Sequence, residues 1–346
     1  MSKIKGKLVG AKEIIRAIRE HRTFLVTSHI NPEGDALGSQ LALADLIHRI
    51  DRKKHKKVWM VSGTPIPENC RFLPGSKKVS TDFLIKRDPE VLITVDCPNL
   101  DRIGRVVEYI NERTLVICID HHVSCERFGD LNWIDPKASA TGQMIYYLYK
   151  IGRVPIEKTS AVNLYTSMMT DTGSFAYSNT TAETHRIVAE LVAKGVNPYQ
   201  VSEQIYESHS LASRRLLAKV LNSLTLTEDG KVAYVSITRQ MLEEVGADAE
   251  ETEGFVNYTR SIKGVEVGLL FREDDKPKWV KVSFRSKGIV DVNQVAKKLG
   301  GGGHRAASGC LIEGDLEDIK RRVLEQVHEA LEAVKNKKER RIIRHY

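Results

Sequence analysis

Four short runs of apolar, β-branched residues punctuate the N-terminal part of the chain: TFLVTS at 23–28, KVWMVS at 57–62, VLITVD at 91–96 and LVICID at 115–120. Amphipathic stretches such as ALGSQLALADLIHRI lie between them. A strand covered on both faces has no cause to alternate polar with apolar residues, and each helix that follows one must cross back over the sheet. The pattern therefore predicts an α/β fold whose N-terminal part is a doubly wound parallel sheet.

At 346 residues the chain fits two domains of about 100–200 residues each. A stretch of alternating charge at 197–224 reads as a helical connector after a first domain at 1–196. Beyond it the rhythm changes. Candidate strands at 231–238, 265–271, 279–284 and 307–312 cluster together, and Leu316, Ile319, Val323, Val327 and Leu331 then recur at helical spacing behind Asp315, a candidate N-cap. We expect a smaller α+β domain with a mixed sheet at 225–334, followed by a basic tail, KNKKERRIIRHY, at 335–346.

The formal net charge of +8 suits a phosphate-rich partner, but part of that excess sits in the tail, where a solvated terminus explains it as well. No apolar run reaches the ~18 residues of a membrane span, and MSKIKGKLVG carries no hydrophobic signal segment. The five cysteines form no CxxC pair and their odd number cannot all bridge, so they read as reduced thiols. A cytoplasmic protein with no membrane association is the expectation.

In parallel α/β sheets ligands bind beyond the carboxyl ends of the strands. There this chain places His29, Glu33 and Asp35 after the first run, Asp96 at the end of the third, and Asp120, His121 and His122 at the end of the fourth. A later segment, SMMTDTGSFAYS, sets Asp171 after another apolar stretch. Any one of these acids could be a helix N-cap. Together they bring carboxylates and imidazoles from four segments to one sheet edge, and carboxylates so crowded repel unless a divalent cation binds them. Mixed nitrogen and oxygen ligands suit Mn²⁺, Fe²⁺, Co²⁺ or Zn²⁺, and there are enough for two ions.

These motifs resemble the DHH phosphoesterase family: SHINPEGDALGSQ its first motif, TVDCPN its second, IDHHVS its third and MMTDTGSFAYS its fourth. GGGHRAASG at 301–309 is similar to the signature of the DHH-associated C-terminal domain, and the short two-domain build is most similar to the NrnA-like branch. The resemblance implies that His29, Glu33, Asp35, Asp96, His121 and Asp171 bind two Mn²⁺ ions, with Mg²⁺ or Co²⁺ as substitutes and Asp96 as the bridge. It implies catalytic parts for Asp96, for Asp120, which fixes an imidazole, and for His122, which stands near the substrate phosphate as charge stabiliser or proton donor. The family usually has Asp where this chain has Glu33, which points to an altered metal preference.

In the second domain, Gly300 to Gly303 precede His304 and Arg305, and Arg285 and Lys287 end a strand. Glycine lets backbone N–H groups approach an anion, though a flexible turn would use the same residues. The resemblance assigns substrate contacts to Arg285, Gly302, Gly303, His304 and Arg305, with the active site in a cleft between the domains. It implies hydrolysis of short oligoribonucleotides, dinucleotides such as pApA among them, and of the 3′-phosphate of adenosine 3′,5′-bisphosphate (pAp), by water activated at two metals. The rival readings are a phosphodiesterase for cyclic or linear dinucleotide messengers, a RecJ-like single-strand exonuclease and a non-catalytic nucleotide sensor; a homodimer is left open. A cysteine nucleophile is disfavoured because Cys97 and Cys118 lie within or beside apolar strands.

Overall fold

The computed structural model describes residues 9–51, 55–83, 88–252, 254–303 and 305–343. Its internal contacts divide the chain after Ser208 into two compact units. Among the described residues no helix is long and apolar enough to cross a membrane.

The first unit is built on a six-stranded, all-parallel sheet of β1 (Thr23–Thr27), β2 (Lys57–Val61), β3 (Val79–Ser80), β4 (Val91–Val95), β5 (Leu115–Asp120) and β6 (Leu131–Ile134). The spatial order is β3-β2-β1-β4-β5-β6, so the chain winds outward in one direction from β1 and in the other from β4. The doubly wound expectation is met, and the switch point between β1 and β4 is where such sheets open a crevice. All five residues of β4 are buried, as a strand covered on both faces must be.

One face carries the larger core, with Phe24, Val26, Ile93 and Ile119 beneath α1 (Val9–Glu20), α2 (Gly34–Ile50), α3 (Thr141–Gly152) and α4 (Lys158–Asp171). The other carries a smaller cluster of Leu25, Val61, Leu92, Cys97, Ile103, Val106 and Val116. Helices α2 and α4 approach closely because Gly38 lies against the α4 backbone: a Cβ there would stand 2.4 Å from the carbonyl oxygen of Asn163. Helices α5 (Ala182–Ala193) and α6 (Pro198–Tyr206) complete the unit, each opened by a side-chain cap, Thr181 and Asn197 respectively.

The second unit opens with α7 (Leu211–Asn222) and holds a mixed sheet of β7 (Thr225–Leu226), β8 (Val232–Ile237), β9 (Val267–Glu273), β10 (Trp279–Ser286), β11 (Gly302–Gly303) and β12 (Ala307–Glu313). Its order is β11-β12-β10-β9-β8-β7, with β8 and β9 parallel and the other pairs antiparallel. Helices α8 (Arg239–Val245), α9 (Val256–Arg260), α10 (Val292–Lys298) and α11 (Leu316–Ile343) flank it. Asp315 caps α11 by accepting the Glu317 N–H, and Ile319, Val323 and Val327 are fully buried, as the helical spacing predicts. The helix continues to Ile343, so the basic segment is helical over its described length.

Two local expectations differ from the structure. The glycine run is not wholly a turn: Gly302 and Gly303 form β11, paired with Gly309 and Ser308. Gly301 and Gly303 have a packing reason to be glycine, since a Cβ would fall 2.2 Å from the Gly309 oxygen at the first and 2.7 Å from the Ala307 oxygen at the second, where φ is also +140°. Asp171 follows no strand; it is the last residue of α4, a helix too buried to show an amphipathic pattern.

Candidate metal centre

The end of β1, the first turn of α2, the ends of β4 and β5 and the C-terminus of α4 meet at the switch point. Asp96, immediately after β4, has φ of +54°, a left-handed conformation that a non-glycine residue adopts at a cost of about 1–3 kcal/mol and that recurs at functional sites. It puts the two oxygens of one carboxylate against different partners. Oδ2 lies 3.8 Å from His29 Nε2, and Oδ1 lies 3.5 Å from His121 Nε2.

Around these contacts two sets of side chains could each hold an ion, and a third set, Asp96, His121 and His122, overlaps both. His29 Nε2 is 3.2 Å from Glu33 Oε1, which with Asp96 completes one triad. His121 Nε2 is 3.5 Å from Asp35 Oδ2 and 3.6 Å from Asp171 Oδ2, which complete the other. Atoms each ~2.1 Å from a common cation stand roughly 3–3.5 Å apart, so the spacing and the donor types fit divalent metal ions. Both imidazoles are pre-oriented: His29 Nδ1 lies 2.7 Å from the Ile30 carbonyl and His121 Nδ1 3.2 Å from that of Ala138, which fixes the proton on Nδ1 and turns Nε2 to the acids.

Residues the sequence did not disclose hold the acids in place. Asp35 accepts the backbone N–H groups of Thr141 and Gly142 at 2.8 and 3.1 Å and the hydroxyls of Ser39 and Ser167. It thereby caps a helix more than 100 residues away in sequence, α3, while sitting in the first turn of α2, two places where a negative charge is favoured. The Thr141 hydroxyl donates to Asp96 Oδ1 at 3.1 Å, linking the two triads. Asn179 donates to Asp171 Oδ2 at 3.1 Å.

Asp120 and His122 stand beside this arrangement. Asp120 Oδ1 accepts the N–H groups of His121 and His122 and the ring Nδ1–H of His122, the last at 2.7 Å. His122 Nδ1 is thus committed to Asp120.

The electrostatics show a cluster that draws positive charge. Burial, then the neighbouring carboxylates led by Asp35 and Glu33, hold Asp96 well above the carboxylate range. Burial alone would lower His29 and His121, yet Glu33 for the first and Asp171 and Asp35 for the second raise both above the ordinary imidazole value. Glu33, against the effect of burial, is brought down to about 2 by His29.

In the second unit, Arg285, the last residue but one of β10, pairs with Ala307 at the start of β12, and Gly302 and Gly303 pair with the same stretch of β12. Arg305 just precedes it and donates to the Gly288 carbonyl at 3.4 Å. Arg285, Gly302, Gly303 and Arg305 therefore share one end of the sheet, whereas His304 lies outside the described residues.

A parallel sheet with acids and imidazoles gathered at its switch point, followed by a mixed-sheet unit carrying a glycine strand, defines a two-domain phosphoesterase of the DHH type. The chain belongs to the DHH family: residues 23–196 match the DHH family, N-terminal domain, and residues 229–339 the DHHA1 domain. It is 33% identical over 322 residues to the bifunctional oligoribonuclease and PAP phosphatase NrnA of Thermus thermophilus, covering 92% of this chain and 93% of that protein. The NrnA of Bacillus subtilis is 32% identical over 87% of this chain and 92% of its own length. A crystal structure of an exopolyphosphatase-related protein from Bacteroides fragilis matches with a TM-score of 0.82 and 28% identity, over 94% of this chain and 96% of that one.

Proposed function

We propose that this chain hydrolyses very short oligoribonucleotides, dinucleotides such as pApA foremost, to mononucleotides and removes the 3′-phosphate from pAp, with Mn²⁺ as its metal. The observation that carries this reading is the placement of Asp96, whose two oxygens face two separate imidazole and carboxylate groups. His29, Glu33 and Asp96 would hold one ion, and Asp35, Asp96, His121 and Asp171 the other. Two bound cations supply Lewis acidity, which favours hydroxide over water near neutral pH and offsets charge on the phosphate. The imidazole and carboxylate donor set favours Mn²⁺ over an ion that prefers oxygen alone.

The protein's own groups do the rest. Asp120 fixes the His122 ring through Nδ1, and His122 Nε2 donates a proton to, or stabilises charge on, the leaving oxygen. Arg285 and Arg305 supply positive charge for a substrate phosphate, and Gly302 and Gly303 offer backbone with no side chain in the way; His304 belongs to the same assignment. A grip on a terminal nucleotide by these residues favours short substrates, because added length brings no added contact. Five cysteines outside any disulfide suit a reducing, cytoplasmic setting.

The test compares pApA, pAp, cyclic di-AMP and pyrophosphate side by side in Mn²⁺, Mg²⁺ and Co²⁺. The expected result is turnover of the first two, fastest with Mn²⁺, lost in Asp96→Ala and kept in Glu33→Asp. Full activity of Asp96→Ala would refute the metal assignment. Arg285→Ala should impair dinucleotides far more than a generic aryl phosphodiester, and equal losses on both would remove Arg285 from substrate recognition.

A further inference from the structure

The geometry points to an oxidisable thiol pair beside the metal centre, Cys118 and Cys125, which peroxide converts to a reversible disulfide that displaces the turn carrying His122. The two sulfurs are 3.7 Å apart, in van der Waals contact. Cys118 lies within β5, two residues before Asp120, and is fully buried; Cys125 is partly exposed. Between them run Asp120, His121 and His122, so the pair brackets the acid and imidazoles described above. Cys97 is nearby but turned elsewhere, its thiol donating to the Asn99 carbonyl at 3.1 Å.

The two ends of this pair are unequally held. Cys118 is in register with Thr94 of β4 on one side and Asn132 of β6 on the other, so it is fixed within the sheet. Cys125 belongs to a tight turn in which its backbone N–H donates to the His122 carbonyl at 3.2 Å. A disulfide requires an S–S distance of ~2.05 Å, so closure from 3.7 Å is a contraction of roughly 1.6 Å, and the turn must supply most of it. That movement pulls on His122, whose ring must keep its 2.7 Å bond to Asp120 to stay oriented. A misplacement of about 1 Å at a catalytic group costs roughly 10²-fold in rate.

The chemistry balances with hydrogen peroxide as the oxidant. The Cys125 sulfur attacks one peroxide oxygen, the O–O bond breaks, and the thiol proton leaves in the first water, giving a sulfenic acid. The Cys118 sulfur then attacks the Cys125 sulfur, the S–O bond breaks, and hydroxide takes the Cys118 proton as the second water. Two thiols lose two electrons and peroxide gains them. A dithiol reverses the step by exchange.

The experiment exposes the full-length Mn²⁺-loaded protein to hydrogen peroxide and then to dithiothreitol. Peroxide should leave the tryptic peptide 114–127 lighter by two hydrogens and closed to iodoacetamide, and should lower turnover of pApA about 10²-fold; dithiothreitol should restore both. Cys125→Ser, and Cys125→Ala as a second variant, should keep basal turnover and resist the peroxide effect, which separates it from damage at methionines or the metal. The inference is overturned if the peptide keeps both thiols, gains oxygen without bridging, or bridges to another cysteine. It is also overturned if the bridge forms and turnover is unchanged. The effect on turnover rests on the function proposed above, and the two fail separately: a reduced enzyme inactive on pApA counts against that function, while the peptide mass still decides whether the thiols bridge.

Discussion

Asp96 and Asp120 end neighbouring strands, both are buried, and their surroundings drive them in opposite directions. Asp120 overcomes its burial through the ion pair and hydrogen bond with His122 and is held well below the carboxylate range, whereas Asp96, ringed by other acids, is held well above it. One is a permanent anion that orients a ring; the other takes up positive charge. Asp120→Asn therefore separates the two roles. It should leave Mn²⁺ affinity by calorimetry within a few fold while kcat falls roughly 10²-fold or more; lost metal binding would make Asp120 a ligand. The acids and imidazoles that the structure brings together are all residues the sequence singled out: Asp96, Asp120, His121 and His122 by their places at strand ends, Asp171 only by the apolar stretch before it, which is the helix α4 and not a strand. Thr141, Gly142, Ser167 and Asn179 were not legible there, since each acts by a hydrogen bond to an acid that its own sequence neighbours do not reveal.

At the scale of elements, the centre depends on how closely α2 and α4 approach, for α2 carries Asp35 in its first turn and α4 ends on Asp171. In Gly38→Ala the new methyl meets the Asn163 carbonyl oxygen at 2.4 Å, which is backbone and cannot rotate away. Overpacking of this kind costs about 1–3 kcal/mol, and the helices must separate to relieve it. Thermal denaturation should show that loss and calorimetry a weaker Mn²⁺ affinity; unchanged affinity would mean that the two acids move together. A second junction, between α2 and α3, reads out in pH. Burial, then Asp45, raises Tyr149 well above the ordinary phenol value, and its hydroxyl lies 2.9 Å from Asp45 Oδ2. The unfolded chain ionises this group near pH ~10, so the stability it gives is complete below that pH and lost above it, at about 1.4 kcal/mol per pH unit. Tyr149→Phe should be the less stable protein at neutral pH, yet its urea denaturation midpoint should fall less steeply with pH above about 10. Among the elements, β1, β2, β4 and β5 announced themselves by unbroken apolar runs, whereas the partly buried parallel strand β6 did not. β3, β7 and β11 are two residues long and set by their neighbours, and α4 hid because it is buried on most sides with Ser, Thr and Asn mixed among its apolar residues, which leaves no helical stripe to read.

For the whole molecule, the two units hold separate cores, and all the acids and imidazoles of the metal centre belong to the first. Without a cation the charge on Asp96, which burial and the neighbouring acids disfavour, opposes folding of the unit that carries it; with one, binding free energy adds to that unit's stability. A free concentration 100 times the dissociation constant adds ~2.7 kcal/mol per site, which in a unit of this size raises the melting temperature by roughly 5–10 °C. The gain should also be local. The N–H groups of Thr141 and Gly142 end on Asp35, and those of His121 and His122 on Asp120, so a cation that fixes the centre limits the openings by which these amides exchange. Hydrogen exchange in Mn²⁺ against chelator should therefore slow at these four amides and stay unchanged across β9 and β10, which pair with each other in the second unit. Equal slowing in both units would show that the ion stabilises the chain as one cooperative body, and no slowing at the four amides would mean that it binds elsewhere.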